Sequence, residues 1–312
     1  MSFQLDPRIA QLIADGAGPA SPADFREGDA RHLRRILDDG LTQLSALPID
    51  PTVSSEALSI EASDGHRLQL RWYSKEGSAP GSAVVHFHGG AMVAGSVDLY
   101  DPLVRTYVAW TGVPILAVDY RLAPEAAEGA AASDGLAALM WLRERADELG
   151  VDPSRIAVMG DSAGGGVAAA VAILARDHGI HLAKQVLIYP MLDDRTTEPD
   201  PHLAAAPTLF PYSFNRTAWT AVLGEHEGTR TAAPSVAPAR NTDFAGLAPA
   251  YIEVGEMDIF RDEDVVFALQ LWRAGVSTEL HVHPGMPHAF DVLLMGDDPR
   301  FQAGKIRVLQ SL

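Results

Sequence analysis

The chain contains no cysteine. That absence excludes disulfides, thiolate metal sites and cysteine nucleophiles together, and leaves the redox compartment open. Lysine is nearly missing as well: among 24 Lys and Arg residues only Lys75, Lys184 and Lys305 are lysines. Positive charge is in deficit overall, 24 basic side chains against 41 acidic ones, for a formal net charge of -17. A nucleic-acid partner or an anionic membrane surface calls for a basic patch, so neither is expected. Long apolar runs are lacking too. Gly, Asp or His interrupts each run well short of the ~18 residues needed to span a bilayer, so no membrane insertion is expected. The first residues carry Asp6 and Arg8 and lack the charged-then-apolar order of a secretory signal, which makes the cytoplasm the expected location.

What is present suits a globular α/β protein. With 312 residues and 47% hydrophobic content the chain can bury a large core, and a single domain over 1-312 is expected. Two helices are expected between Pro7 and Leu47. Ser21-Pro22-Ala23-Asp24 reads as the start of the second, and Leu33, Ile36, Leu37, Leu41 and Leu44 form its apolar stripe. Strands are expected near Val53 to Glu61 and Arg67 to Tyr73, joined by a turn at Ser63-Asp64-Gly65. Helices at Val97 to Trp110 and Asp134 to Leu149 then alternate with strands at Pro114 to Val118 and Arg155 to Met159, the pattern of a mostly parallel sheet.

Chemistry concentrates at Gly160-Asp161-Ser162-Ala163-Gly164-Gly165, which lies between the apolar run Arg155 to Met159 and the small-residue run Gly166 to Ala175. Strand, sharp turn and helix in that order project a serine hydroxyl at the carboxyl edge of a sheet, making Ser162 the candidate nucleophile. A serine needs a base, and the base an orienting carboxylate. Asp258 follows the apolar strand Tyr251 to Gly255, and His288 follows the alternating strand Ser277 to His283, so all three residues fall on loops at one sheet edge. Glu256, Asp161 and Asp291 are competing acids, Glu256 the strongest. A fourth element is Val84 to Ala91, an apolar strand running into a glycine loop. Its backbone N-H groups, with that of Ala163, suit a tetrahedral oxyanion.

Other groupings carry less. His86 and His88, like His281 and His283, are spaced to share one strand face but lack further ligands, so a structural role is expected. The acidic run Asp258 to Asp264 lacks the spacing of a calcium loop and reads as a helix start.

Taken together, His88-Gly89-Gly90, Asp119 to Glu125, Val151 to Ile156, Gly160 to Gly165, Met191 to Arg195, Gly255 to Asp258 with Arg261-Asp262-Glu263, and Pro287-His288 give a chain that resembles the hormone-sensitive-lipase-like (bacterial family IV) esterases over nearly its whole length. The resemblance implies an α/β-hydrolase fold, a mostly parallel central sheet flanked by helices, with a helical cap formed by about 1-50 and about 192-227. It implies Ser162 as nucleophile, His288 as general base and acid, Asp258 as its orienter, and an oxyanion hole at Gly89, Gly90, Ala91 and Ala163. Leu209, Phe210, Tyr212 and Phe214 of the cap, with Met92 and Asp161, are the expected substrate pocket. No metal and no cofactor is implied. A homodimer near Ser277 to His283 and Pro299 to Leu312 is allowed.

The chain departs from the family where His-Gly-Gly-Gly followed by an aromatic is usual and His88-Gly89-Gly90-Ala91-Met92 stands instead. The added methyl of Ala91 is expected to demand an ordinary backbone conformation. Ala289 replaces a glycine common in the family, and Ala126 to Ala132 stands where His-Pro-Phe-Pro is usual. The expected function is a serine carboxylesterase acting on a small-molecule ester with a short- to medium-chain acyl group, through an acyl-enzyme. The alternatives are an amidase or acyltransferase using the same triad, or a non-catalytic small-molecule receptor on the same fold.

Overall fold

Val53–Glu61 (β1) folds back on Arg67–Lys75 (β2) through a turn closed by Gly65 N-H to Ala62 O at 2.9 Å, with Gly65 at φ +81°. That hairpin is the antiparallel edge of one eight-stranded sheet. Its remaining strands are Gly81–Phe87 (β3), Ile115–Asp119 (β4), Val151–Asp161 (β5), Lys184–Ile188 (β6), Ala250–Gly255 (β7) and Thr278–His283 (β8), in the spatial order β1-β2-β4-β3-β5-β6-β7-β8. From β4 to β8 all neighbours are parallel. The structure is a computed structural model and describes residues 3–16, 25–78, 81–203, 209–224, 232–295 and 298–312. The expected helix start at Ser21 to Asp24 lies outside them.

Because the central strands are covered on both faces, they read as near-continuous apolar runs. Alternation still sorts them into two cores. Val85, Phe87, Leu116, Val158, Leu187 and Ile252 point to one face. There they meet Leu139 and Leu142 of Ala130–Glu144 (α4), the alanines of Ala163–Asp177 (α6), and Phe267 and Leu271 of Arg261–Arg273 (α8). Val84, Ile115, Ala117, Met159, Val186 and Tyr251 point to the other face, against Tyr107 and Val108 of the helix Val97–Thr111 (α3) and Val308 and Leu309 of the last helix.

Most expected elements stand within a few residues of their reading. The helix expected at Asp134 to Leu149 begins earlier, at Ala130, and breaks at Arg145 (φ -101°, ψ 9°) before the short turn Ala146–Leu149 (α5). The N-terminal helices are Pro7–Ala14 (α1) and Ala30–Leu41 (α2). Asp29 caps the second by accepting from His32 N-H at 2.9 Å, and a 3₁₀ turn follows at Thr42–Ala46. Within the insertion after β6, Tyr212–Leu223 (α7) packs against α2, and its Phe214 ring lies 4.8 Å from that of Phe25, which precedes α2. Phe290–Leu293 (α9) and Arg300–Gln310 (α10) complete the fold. Among the described residues no helix is long and apolar enough to cross a membrane.

Candidate active site

Ser162 occupies the one-residue corner between β5 and α6 at φ +56°, ψ -122°, a region most L-residues avoid and one that costs about 1–3 kcal/mol. Neighbouring backbone holds it there. Its N-H donates to Ile188 O at 2.8 Å, and its carbonyl accepts from Met191 N-H at 2.9 Å and Gly166 N-H at 3.1 Å. The small residues around it follow from crowding: a methyl on Gly165 would stand 2.8 Å from the Cβ of Pro190.

The loops after β7 and β8 bring two side chains to this serine. His288 Nε2 lies 2.9 Å from Ser162 Oγ, and Nδ1 lies 2.7 Å from Asp258 Oδ2. With its proton on Nδ1 the imidazole donates to Asp258 and accepts from the serine hydroxyl. Asp258 is 1% exposed, and its other oxygen accepts from Phe260 N-H at 3.0 Å. Rings of Tyr189, Phe210 and Phe260 surround the imidazole at 4.7, 5.4 and 5.3 Å between centroids.

The competing carboxylates are engaged elsewhere. Glu256 accepts from Gly285 N-H at 3.0 Å, Asp161 lies 3.3 Å from His86 Nε2 beneath the turn, and Asp291 accepts from Tyr189 and Lys305. Burial raises the Asp161 carboxyl above its usual range, and the His86 contact opposes this.

The glycine loop closes on itself, with Ala94 and Val93 N-H groups donating to Gly90 O at 2.8 and 3.0 Å. Gly90 has φ +125°, and Ala91 and Met92 follow at +57° and +58°. The expectation of an ordinary backbone at Ala91 is therefore corrected. Two successive left-handed residues cost about 1–2 kcal/mol each, and the two hydrogen bonds of the closed turn offset this. Among the described residues, no hydrogen bond uses the N-H groups of Gly90, Ala91 or Ala163, and Gly90 and Ala91 face the same cavity as Ser162. Gly89, also expected in the oxyanion hole, does not line that cavity, and its carbonyl lies 2.8 Å from His88 Nδ1. The His88 ring stacks on Tyr120 at 4.3 Å, and Tyr120 OH donates to His88 O at 2.7 Å. Burial lowers the His88 pKa to about 4, against the opposing bond to Gly89, so the ring is neutral at neutral pH.

A cavity of about 480 Å³ opens over Ser162 and His288. Of the residues expected in the substrate pocket, Leu209 and Phe210 line it, whereas Met92, Asp161, Tyr212 and Phe214 do not. Met92, in its left-handed conformation, borders a separate void of about 30 Å³ with Ala123 and Val167. Asp161 is sealed under the corner with His86. The Tyr212 hydroxyl accepts from Asp200 N-H at 3.2 Å, and Phe214 is fully buried against Phe25. The far wall comes instead from Leu37, Leu41, Leu44 and Leu47, and from Val292, Leu293 and Met295. Leu37, Leu41 and Leu44 belong to the apolar stripe expected on the second helix. Periodicity shows that such a stripe is covered, not whether protein or a ligand covers it.

A family profile described as alpha/beta hydrolase fold matches residues 84–292. Over 92% of each chain, the sequence is 33% identical to an ethyl acetate hydrolase from Pseudomonas putida. It is 41% identical to carboxylesterase NlhH from Mycobacterium tuberculosis over 209 residues, a match that spans 66% of each protein. Among solved structures, a bacterial heroin esterase superposes with a TM-score of 0.87 at 33% identity, covering 99% of this chain and 98% of that one.

Proposed function

Since the chain belongs to the α/β-hydrolase fold family, within its hormone-sensitive-lipase-like branch of carboxylic ester hydrolases, we propose that it cleaves esters through an acyl-enzyme formed on Ser162. The observation that carries this reading is one imidazole placed between a hydroxyl and a buried carboxylate, at 2.9 and 2.7 Å. In the first half-reaction Ser162 Oγ attacks the ester carbonyl while His288 Nε2 takes its proton. The imidazolium, stabilised by Asp258, returns that proton to the departing alcohol. Water then attacks the acyl carbonyl with His288 again as base, releasing the acid and restoring the serine. The N-H groups of Gly90, Ala91 and Ala163 receive the negative charge of each tetrahedral intermediate, a contribution of about a hundred- to thousand-fold per donor. All the proton transfers use the chain's own side chains, so this route calls for no cofactor.

The cavity supports an uncharged ester with a short- to medium-chain acyl group. Its described walls carry no Asp, Glu, Lys or Arg, and leucine is the residue they contain most often. In this reading residues of about 1-50 and about 192-227 form the cap over the site, since both regions contribute to the cavity. Each methylene accommodated adds about 0.8 kcal/mol until the pocket ends.

The test is hydrolysis of para-nitrophenyl acetate, butyrate, octanoate and palmitate by the wild type and by Ser162→Ala, with mass spectrometry after organophosphate treatment. Turnover that disappears in the variant, a single adduct on Ser162 and an optimum below about ten carbons are expected from the methylene argument. Folded wild-type protein with neither turnover nor adduct would overturn the reading. Amide and alcohol acceptors in the same assay distinguish an amidase or acyltransferase using the same residues.

A further inference from the structure

Of the three lysines in the chain, Lys305 is 1% exposed at the side chain, and it sits behind the candidate site, not on the surface. All its ammonium hydrogens are used. Nζ donates to Glu253 Oε1 at 2.6 Å, to Asp291 Oδ2 at 2.9 Å and to Phe301 O at 2.7 Å. Both carboxylates are as deeply buried as the lysine, and each spends its second oxygen on a tyrosine. Tyr251 OH donates to Glu253 at 2.8 Å and Tyr189 OH to Asp291 at 2.7 Å.

The positions of these partners give the cluster its meaning. Glu253 is on β7, the strand whose carboxyl end leads into the Asp258 loop. Asp291 is in the first turn of α9, directly after His288 and Ala289. Tyr189 stands at the end of β6 with φ +36°, its N-H donating to Glu253 O at 2.6 Å and its ring edge-on to the His288 imidazole at 4.7 Å. One ammonium thus ties the segment bearing the base to the strand bearing its orienter, and holds the ring that backs the base.

Stability alone is a poor reason for such a cluster. Withdrawing charges from water costs several kcal/mol per ion, and buried ion pairs are often no more stabilising than well-packed apolar groups of similar volume. Geometry is what a satisfied network specifies. Burial would lower the Lys305 pKa, yet Asp291 and Glu253 outweigh it and hold the amine charged. Burial would likewise raise Glu253, and Lys305 together with His283 more than reverses this.

We propose that Lys305 is a positioning residue for ester hydrolysis, acting through Asp291 and Tyr189 to hold the His288 imidazole between Ser162 and Asp258. This inference rests on the hydrolytic reading above. A displacement of about 1 Å at a reacting group can cost about a hundredfold in rate, while binding of the ester to the leucine-lined cavity is untouched.

The experiment compares wild type, Tyr189→Phe, Asp291→Asn and Lys305→Met on para-nitrophenyl butyrate, with each preparation's active sites counted by organophosphate titration. Per titrated site, kcat should fall about three- to tenfold in Tyr189→Phe and about ten- to a hundredfold in Asp291→Asn and Lys305→Met, with KM within about threefold of wild type. Tyr189→Phe keeps the ring and the fold, so the test survives if Lys305→Met does not accumulate. A merely structural role lowers the number of titratable sites and leaves kcat per site unchanged. That result in Tyr189→Phe and Asp291→Asn overturns the positioning role while wild-type turnover stands. A wild type without turnover overturns the hydrolytic reading and this inference with it.

Discussion

Gly164 packs directly against the carbonyl of Phe87: a methyl on its α-carbon would collide with that oxygen and stand 2.5 Å from the carbonyl oxygen of His88. Gly164 is therefore where helix α6 touches the start of the glycine loop. Since the obstacle is backbone, Gly164→Ala can be accommodated only by moving the loop that carries the Gly90 and Ala91 N-H groups. Urea unfolding should show a loss of about 1–3 kcal/mol, as for overpacked cores. Esterase kcat/KM should drop at least about a hundredfold through displacement of those donors. Unchanged kcat/KM in the folded variant would dissociate the loop from catalysis.

Two carboxylates on one loop have different partners. Asp258 holds His288, whereas Glu256 holds the N-H of Gly285 at 3.0 Å. Asp258→Asn should lower kcat by about three to four orders of magnitude, because an amide there favours the wrong imidazole tautomer. Glu256→Gln keeps an acceptor for Gly285 and should remain within about threefold of wild type. Steady-state kinetics of the two variants decide the matter, and a reversed ranking would reassign the acid.

Ala91 at φ +57° occupies a conformation in which glycine carries no steric penalty. Ala91→Gly should relieve about 1–2 kcal/mol of strain in the folded state and lose about 0.4–1 kcal/mol to the freer unfolded chain. The net expectation is a gain of about 0.5–1 kcal/mol in unfolding free energy, with esterase rates within a few-fold. A net loss in urea unfolding would mean that the methyl contributes packing that outweighs the strain.

His88 carries a signed pH dependence. Its ordinary value of 6.5 is lowered to about 4 by burial. Between those values the unfolded chain binds a proton that the folded chain refuses, so stability rises with pH. The contribution is fully present above pH 6.5 and is lost as pH falls toward 4, amounting to about 2–3 kcal/mol at pH ~4.5. Unfolding free energies of wild type and His88→Gln at pH 7 and 4.5 should converge on acidification. A difference between the two proteins that does not change with pH would contradict this.

Much of the candidate site was legible because its signals are local. A strand, a tight turn and a helix succeed one another within about twenty residues around Ser162, and apolar alternation followed by a loop places Asp258 and His288 at strand ends. Chain order and small-residue spacing are enough to nominate those residues. Family resemblance extends the same local reading to the glycine loop. It does not reveal that Ala91 and Met92 both adopt left-handed backbone, since that follows from closing the turn on Gly90.

The order of strands and helices, and with it which loops share the carboxyl edge of the sheet, is written into the chain's local pattern, because periodicity and turn chemistry act over a few residues at a time. Only the tertiary structure set Asp258 against His288 and Glu256 against Gly285, partners about thirty residues away from carboxylates two residues apart. It alone put Leu37 to Leu47 on the cavity wall and excluded Met92, Tyr212 and Phe214, and it alone joined Lys305 to Glu253 and Asp291. Those outcomes depend on which surfaces meet when separate elements pack, and contacts between distant segments leave no periodic trace in a single chain.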